Sequence, residues 1–251
     1  MKHVAMVLLI PAFLFAESTI EKYVMRGDSL FWAMKYDKAL EVYKEGLSVD
    51  FTNYGLLWRV SRCLCNIGDV APKEKREKIY EDALTYAEKA VEVNPQGDWG
   101  WTWLAASYGN LALFRGGKGK VKLAMKIKDA VLKALKLNPD NHLANYIWGS
   151  YNFEAATLNW ALRKFAKMLF GEVPEGTLED AEKYIKKAVS LKPDRIQYRL
   201  ELAKLYKKMG KKEEAIRELE ITINLRPQYK EDYVLLKEAE ELLRKLKKIT
   251  M

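Results

Sequence analysis

Few residues in this 251-residue chain have types and spacings that could do chemistry. The run Arg115-Gly116-Gly117-Lys118-Gly119-Lys120 has the glycines and lysines of a phosphate loop. It lacks the earlier glycine at the required distance and the Ser or Thr after Gly-Lys, and a helical pattern rather than a strand precedes it. It reads as a flexible turn whose lysines could touch an anion. The only histidines are His3 and His142. His142 follows Asn138-Pro139-Asp140-Asn141, where a surface or helix-capping residue is expected rather than a general base. One histidine in the body of the chain rules out the common His-rich metal sites. Cys63 and Cys65, two apart on a helical pattern, point to nearly opposite sides and cannot bond each other. With no C-x2-C pair present, both read as packing residues. The carboxylates alternate with cations, as in Glu88-Lys89 and Glu213 with Arg217, the pattern of solvated helix faces. No catalytic residue, metal site or cofactor follows from these residues, and the chain is expected not to be an enzyme.

The elements that would position a binding site are helices. Trp101, Leu104, Ala105 and Tyr108 recur at spacings of three and four, which puts them on one helical face. Ala105 is small enough for a second helix to approach closely, and Pro139 after Asn138 ends that second helix. Related patterns recur along the chain. Gly27 with Ala39, Tyr43 and Gly46 marks a first pair over about residues 20–53, with Phe51 where proline would stand. Leu57, Val60, Ser61 and Leu64 open a second pair, which ends at Asn94-Pro95. Trp148-Gly149 and Pro193 bound a fourth, and Leu202, Ala203, Tyr206 and Pro227 a fifth.

The W-x2-L-(G/A)-x2-Y pattern and the closing proline resemble the tetratricopeptide (TPR) repeat. The expected fold is all-α: a TPR-like solenoid of about five helix pairs with a closing C-terminal helix. Repeats two and three each exceed the usual 34 residues by ten, through the polar run Asp69 to Lys78 and the stretch around Arg115 to Lys120. Repeat four exceeds it by twenty, and Trp160 to Phe170 reads there as an extra amphipathic segment. The expected division is residues 1–16 as a signal peptide, 17–53 as a degenerate cap, 54–228 as the solenoid and 229–251 as a solvating helix. The TPR resemblance implies that first helices line a concave groove. It assigns to that groove Trp58, Arg59, Arg62 and Asn66, then Trp99, Thr102, Trp103 and Asn110, then Tyr146, Ser150 and Phe153, then Lys204 and Lys208. Trp101 and Trp148 are expected in the core, whereas Trp58, Trp103 and Tyr146 are balanced between core and groove. Arg62 and Lys204 are expected to be free to pair with an acidic group on a ligand.

A narrower resemblance rests on longer stretches. Leu57-Trp58-Arg59-Val60, Gly100-Trp101-Thr102-Trp103-Leu104-Ala105 and Tyr108-Gly109-Asn110-Leu111-Ala112 resemble the regulator of microtubule dynamics family. So do Lys126-Ile127-Lys128, Lys133 to Pro139, Trp160-Ala161-Leu162-Arg163 and Leu169-Phe170-Gly171. The likeness covers roughly residues 54–247. It implies a TPR-like binding protein, associated in eukaryotes with microtubules and organelle membranes.

The N-terminus departs from that family. Lys2 precedes an unbroken apolar run from Val4 to Phe15, and Leu14-Phe15-Ala16 offers a small residue before Glu17. This reads as a secretory signal cleaved after Ala16. The run is shorter than the ~20 residues a spanning helix needs, and no other stretch is long and apolar enough. Export would place the chain where tubulin is absent, so the family's microtubule role is not expected to transfer. The net charge of +9, with 49% hydrophobic and 31% charged residues, fits a lysine-rich helical surface. The expected function is that of an exported scaffold holding a peptide or partner protein. The alternative is a carrier of lipid or another anionic amphiphile, with the Trp160 to Phe170 segment covering an apolar channel. A deep closed cavity favours the carrier and an open groove the scaffold. No nucleic-acid partner is expected.

Overall fold

The structure, a computed structural model, describes residues 12–171 and 173–248. Most of the expected signal segment, residues 1–11, lies outside the described residues. Among the described residues are twelve helices and no strand. Five helix pairs follow one another: α1 (Ala12–Trp32) with α2 (Tyr36–Val49), α3 (Tyr54–Val70) with α4 (Lys73–Val93), and α5 (Asp98–Arg115) with α6 (Gly117–Leu137). Next come α7 (His142–Ala156) with α9 (Leu178–Leu191), separated by α8 (Trp160–Phe170), then α10 (Ile196–Lys208) with α11 (Lys212–Thr222). The last helix, α12 (Asp232–Lys248), packs on α10 and α11 through Ala239, Leu243 and Leu246.

The boundaries follow from local chemistry. Asn53 and Asn141 cap α3 and α7, their side-chain oxygens accepting the N–H groups of Leu56 and Ala144. Asn94 and Asn138 end the second helices of their pairs, and each side chain accepts an N–H two residues on, across the proline. Asp50 makes the same turn at Thr52, so the first repeat turns without a proline and leaves Phe51 exposed.

The small positions bring paired helices together. A Cβ on Gly27 would lie 2.2 Å from the Tyr43 ring, and one on Gly149 would lie 2.9 Å from the Ile185 backbone nitrogen. Ser61, Ala105 and Ala203 occupy the equivalent positions and are fully buried.

Two of the expected insertions are not loops. The extra residues of repeats two and three lengthen the helices, leaving only Ala71-Pro72 between α3 and α4 and only Gly116 between α5 and α6. The stretch read as a flexible turn is therefore one glycine at φ 56°, followed by the first turn of α6. In repeat four the extra residues do form α8, which packs on α6 and buries only Ala166.

Trp101 and Trp148 are half-buried rather than core residues. Trp101 donates its indole N–H to Pro95 O near the surface at 2.9 Å, and Trp148 stacks on Tyr151. Trp103 is the buried tryptophan of α5, at 9% exposure. The two cysteines pack as expected: Cys63 Sγ donates to Tyr36 O, and Cys65 Sγ lies 3.6 Å from Ser107 Oγ. Burial pushes both thiols up to about 12.

The array closes on itself. Residues Tyr229 to Glu231, just before α12, meet the first repeat: Lys230 N–H donates to Tyr36 Oη at 3.2 Å, and the Tyr229 ring packs edge-on against Phe31 and Trp32. Arg195 anchors this crossing, donating to Glu231 and to buried Asp232 at 3.0 Å each, with its guanidinium over Tyr229.

Candidate functional site

Closure turns the concave side of the solenoid into a cavity of about 620 Å³. Its wall is built from the first helices of successive pairs. α3 supplies Trp58, Arg62, Asn66 and Asp69; α5 supplies Trp99, Trp103, Ala106 and Asn110; α7 supplies Tyr146, Ser150 and Glu154; α10 supplies Tyr198, Glu201 and Lys204. Val121 and Ile127 of α6 add aliphatic surface, and Trp32, Arg195, Tyr229 and Glu231 complete the circuit.

Aromatic rings run round this wall. Trp58 stacks on Trp99 at 5.4 Å between centroids, and Trp99 meets His142 edge-on at 5.8 Å. His142 Nδ1 shares a 2.8 Å hydrogen bond with the Tyr198 hydroxyl, and Tyr198 stacks on Tyr146 at 4.5 Å. Tyr229 and Trp32 carry the circuit back to α1, where the Arg62 guanidinium lies 3.8 Å from the Phe31 centroid and 5.3 Å from that of Trp58. Stacked and edge-on pairs of this kind add about 0.5–1.5 kcal/mol each beyond their burial.

Nine of the thirteen groove residues named from the sequence line this one cavity: Trp58, Arg62, Asn66, Trp99, Trp103, Asn110, Tyr146, Ser150 and Lys204. Arg59 does not; it lies over the Trp58 ring at 4.2 Å and pairs with Asp28 at 3.0 Å. Thr102 is fully buried, accepting from Asn141 and donating to Asp98 O. Phe153 and Lys208 face a separate depression beside α12. α8 contributes no lining residue, although Leu158 before it and Pro174 after it do.

The two cations expected to be free are not. Arg62 donates to Asp28 at 2.6 Å and to the Tyr43 hydroxyl at 2.8 Å, and Lys204 pairs with Glu238 at 2.8 Å. The reason is the first repeat, whose Asp28 sits one helix away from α3, and the last helix, which brings Glu238 to α10. The other wall cations are paired as well: Lys120 with Glu154, Lys192 with Asp194, and Arg195 with Glu231 and Asp232.

Titration follows from these surroundings. Burial alone would raise Asp28, but the Tyr43 hydroxyl and the Arg62 and Arg59 guanidiniums outweigh it and hold the carboxyl below its ordinary value. Asp69 is pushed up to about 7, by burial first and then by Glu231, although the Tyr80 hydroxyl opposes the rise. Burial also raises Glu201, partly offset by Lys204. His142 falls to about 4 through burial and the nearby Lys192 and Arg195, so the imidazole is neutral at pH 7. Expected as a surface or capping residue, it instead lines the cavity and bonds Tyr198.

Sequence reasoning missed Trp32, Asp69, Arg195, Tyr198, Tyr229 and Glu231. Most of these reach the wall through closure, which joins positions 194 residues apart and has no local signal. Asp69 had a signal, because it lies three residues beyond Asn66 on the same helix face.

Fold and site together define a TPR-like α-solenoid whose concave side holds one cavity lined by the first helices of successive pairs. Residues 23–247 match the family described as regulator of microtubule dynamics protein 1-3, and the chain belongs to that family. It is 28% identical over 219 residues to regulator of microtubule dynamics protein 1 of Caenorhabditis elegans, covering 87% of this chain and 97% of the relative. The protein of the same name from Bos taurus is 29% identical over 232 residues, covering 90% of this chain and 71% of the relative. Among solved structures, a thermophilic TPR protein of Thermus thermophilus aligns with a TM-score of 0.61 at 20% identity, over 88% of this chain and 99% of that one. That likeness shows the fold.

Proposed function

We propose that the chain is a non-enzymatic binding protein that works through the interior of its solenoid, taking up a small ligand with an elongated apolar body. One observation carries this reading: Tyr229 and Lys230 close onto Phe31, Trp32 and Tyr36, so the concave face is a partly enclosed cavity rather than a shallow groove. A volume of about 620 Å³ falls within the range of small-molecule sites, and the wall is mainly aromatic and aliphatic. A peptide would bring one N–H and one C=O per residue into that space. The wall has few free groups to meet them: Asn66 Nδ2 already donates to Arg62 O, and Ser150 Oγ to Glu201. The carrier reading is therefore favoured over a peptide-holding scaffold. The test is chemical denaturation with and without 1-dodecanol, a neutral single-chain probe. A ligand bound only to the folded state raises the unfolding midpoint; an unchanged midpoint at saturating probe contradicts the reading.

Export belongs to the same proposal, supported by the Lys2 start, the apolar run Val4 to Phe15 and the small residue Ala16. N-terminal sequencing of the protein from its own cells tests it: Glu17 is the expected first residue, and an intact Met1 contradicts it.

A further inference from the structure

One helix stands apart from the packing of the others. α8 meets α6 alone and buries only Ala166. Local chemistry keeps it formed. Asn159 Oδ1 accepts the Leu162 N–H at its start, Gly171 ends it at φ 76°, and Arg163 donates back to Leu158 O and Ala155 O. Lys118 of α6 lies over the Phe165 ring at 5.0 Å. A helix of 11 residues is too short to persist on propensity alone, so these contacts hold α8 in place while its outer face stays uncovered.

That outer face mixes apolar and cationic groups. Trp160, Lys164 and Met168 follow at intervals of four and form one stripe, with Arg163 and Lys167 beside it. Trp160 is 77% exposed and Met168 75%, and Leu169 is exposed as well. Single exposed apolar side chains are ordinary; three on one short helix, a tryptophan among them, form a patch with a use. No acidic residue lies between Leu158 and Gly171. Lys164 and Lys167 form no ion pair among the described residues. The first turns of α6, against which α8 packs, add exposed Lys118 and Lys122, and no acid precedes Asp129 there.

We propose that α8 docks the protein on an anionic lipid surface, with Trp160 and Met168 entering the head-group layer and Lys164 and Lys167 against its phosphates. Cations beside a tryptophan and a methionine on a convex helix match a bilayer surface, where the indole sits at head-group level and anionic lipid attracts the lysines. A folded partner would need a groove or a flat apolar face, and the lysine inside the stripe interrupts both. The contact has a definite place in the fold. Leu158 before α8 and Pro174 after it line the cavity, so the lipid surface meets the protein at the cavity's edge. The inference does not rest on the interior-binding reading, because none of Trp160, Arg163, Lys164, Lys167 and Met168 lines the cavity.

The experiment is co-sedimentation of the full chain with vesicles of phosphatidylcholine alone and of phosphatidylcholine mixed equally with phosphatidylglycerol. Binding to the anionic vesicles is expected to be about tenfold tighter and to weaken as salt is raised. Trp160→Ala with Met168→Ala, and separately Lys164→Glu with Lys167→Glu, should each lower it about tenfold, with melting temperatures unchanged because these side chains are exposed. Lys207→Glu with Lys208→Glu makes the same charge change on α10, which does not touch α8, and should lower binding only about twofold. Equal losses from the α10 and α8 reversals would reduce the effect to net charge and overturn the inference. Wild-type protein that ignores the anionic vesicles also overturns it, and leaves α8 as a face for an acidic protein. A loss on Ala106→Trp, whose added ring occupies the cavity, as large as on the α8 variants would move the contact to the interior and overturn it too.

Discussion

Arg195 lies over the ring of Tyr229, its guanidinium carbon 3.5 Å from the ring centroid, while the same guanidinium donates to Glu231 and Asp232. Through this one residue the start of the last first-helix, α10, holds the segment that crosses to the first repeat. A solenoid whose repeats touch only their neighbours would stay open; this one is closed by a contact between its ends.

Tyr229→Ala removes the stacking partner of Arg195 and the edge contacts to Phe31 and Trp32 without leaving a charge unpaired. It is expected to cost about 2 kcal/mol in urea denaturation. Arg195→Ala is expected to cost more, about 3–5 kcal/mol, because it strands the buried Asp232 carboxylate. Equal and negligible effects would mean that closure contributes nothing to stability.

Arg62→Glu is expected to destabilise the fold by about 3–5 kcal/mol, since it places a second carboxylate beside Asp28 in a mostly buried site. The pH dependence has a definite sign. The folded carboxyl of Asp28 lies below the ordinary 3.8, so its contribution is present above 3.8 and is lost as pH falls through the lower folded value. Wild-type stability should therefore drop on acidification in that window, and the drop should shrink in Arg62→Ala.

Asp69 behaves in the opposite sense. Its folded value is raised from 3.8 to about 7, so stability is full below 3.8 and declines as pH rises toward 7. Asp69→Asn cannot ionise, and is expected to be more stable than wild type above pH 7 by roughly 2–4 kcal/mol. Unfolding free energies measured across this range check it; parallel curves for the two proteins would show that Asp69 is not raised.

Trp103→Ala should cost about 3–5 kcal/mol and Trp101→Ala about 1–2 kcal/mol, because only the first opens a buried cavity. Thermal or urea unfolding of the pair decides the order.

That order departs from the sequence expectation of a core Trp101, and the departure shows where sequence reading stops. The helix pairs were legible because Ala105, Gly149 and the Asn-Pro steps are local signals of close helix contact and helix ending. The groove was legible for the same reason: Trp58, Trp103 and Tyr146 stand at first-helix positions that a stacked array turns inward. Periodicity places a residue on a helix face but does not say how deep that face lies, so it puts Trp101 in the core and leaves Trp103 between core and groove. The pairing of Arg62 and Lys204 was illegible because Asp28 and Glu238 come from the first repeat and the last helix, whose approach is set by tertiary packing. Closure through Tyr36 and Lys230 was illegible altogether, since 194 residues separate the partners and neither has a distinctive spacing.

The most direct measurement is native mass spectrometry of the full chain incubated with 1-dodecanol, alongside Ala106→Trp. One probe molecule bound per wild-type chain, and none on the variant, is the predicted result. Equal adducts on both proteins, or no adduct on either, would contradict a ligand site inside the closed solenoid.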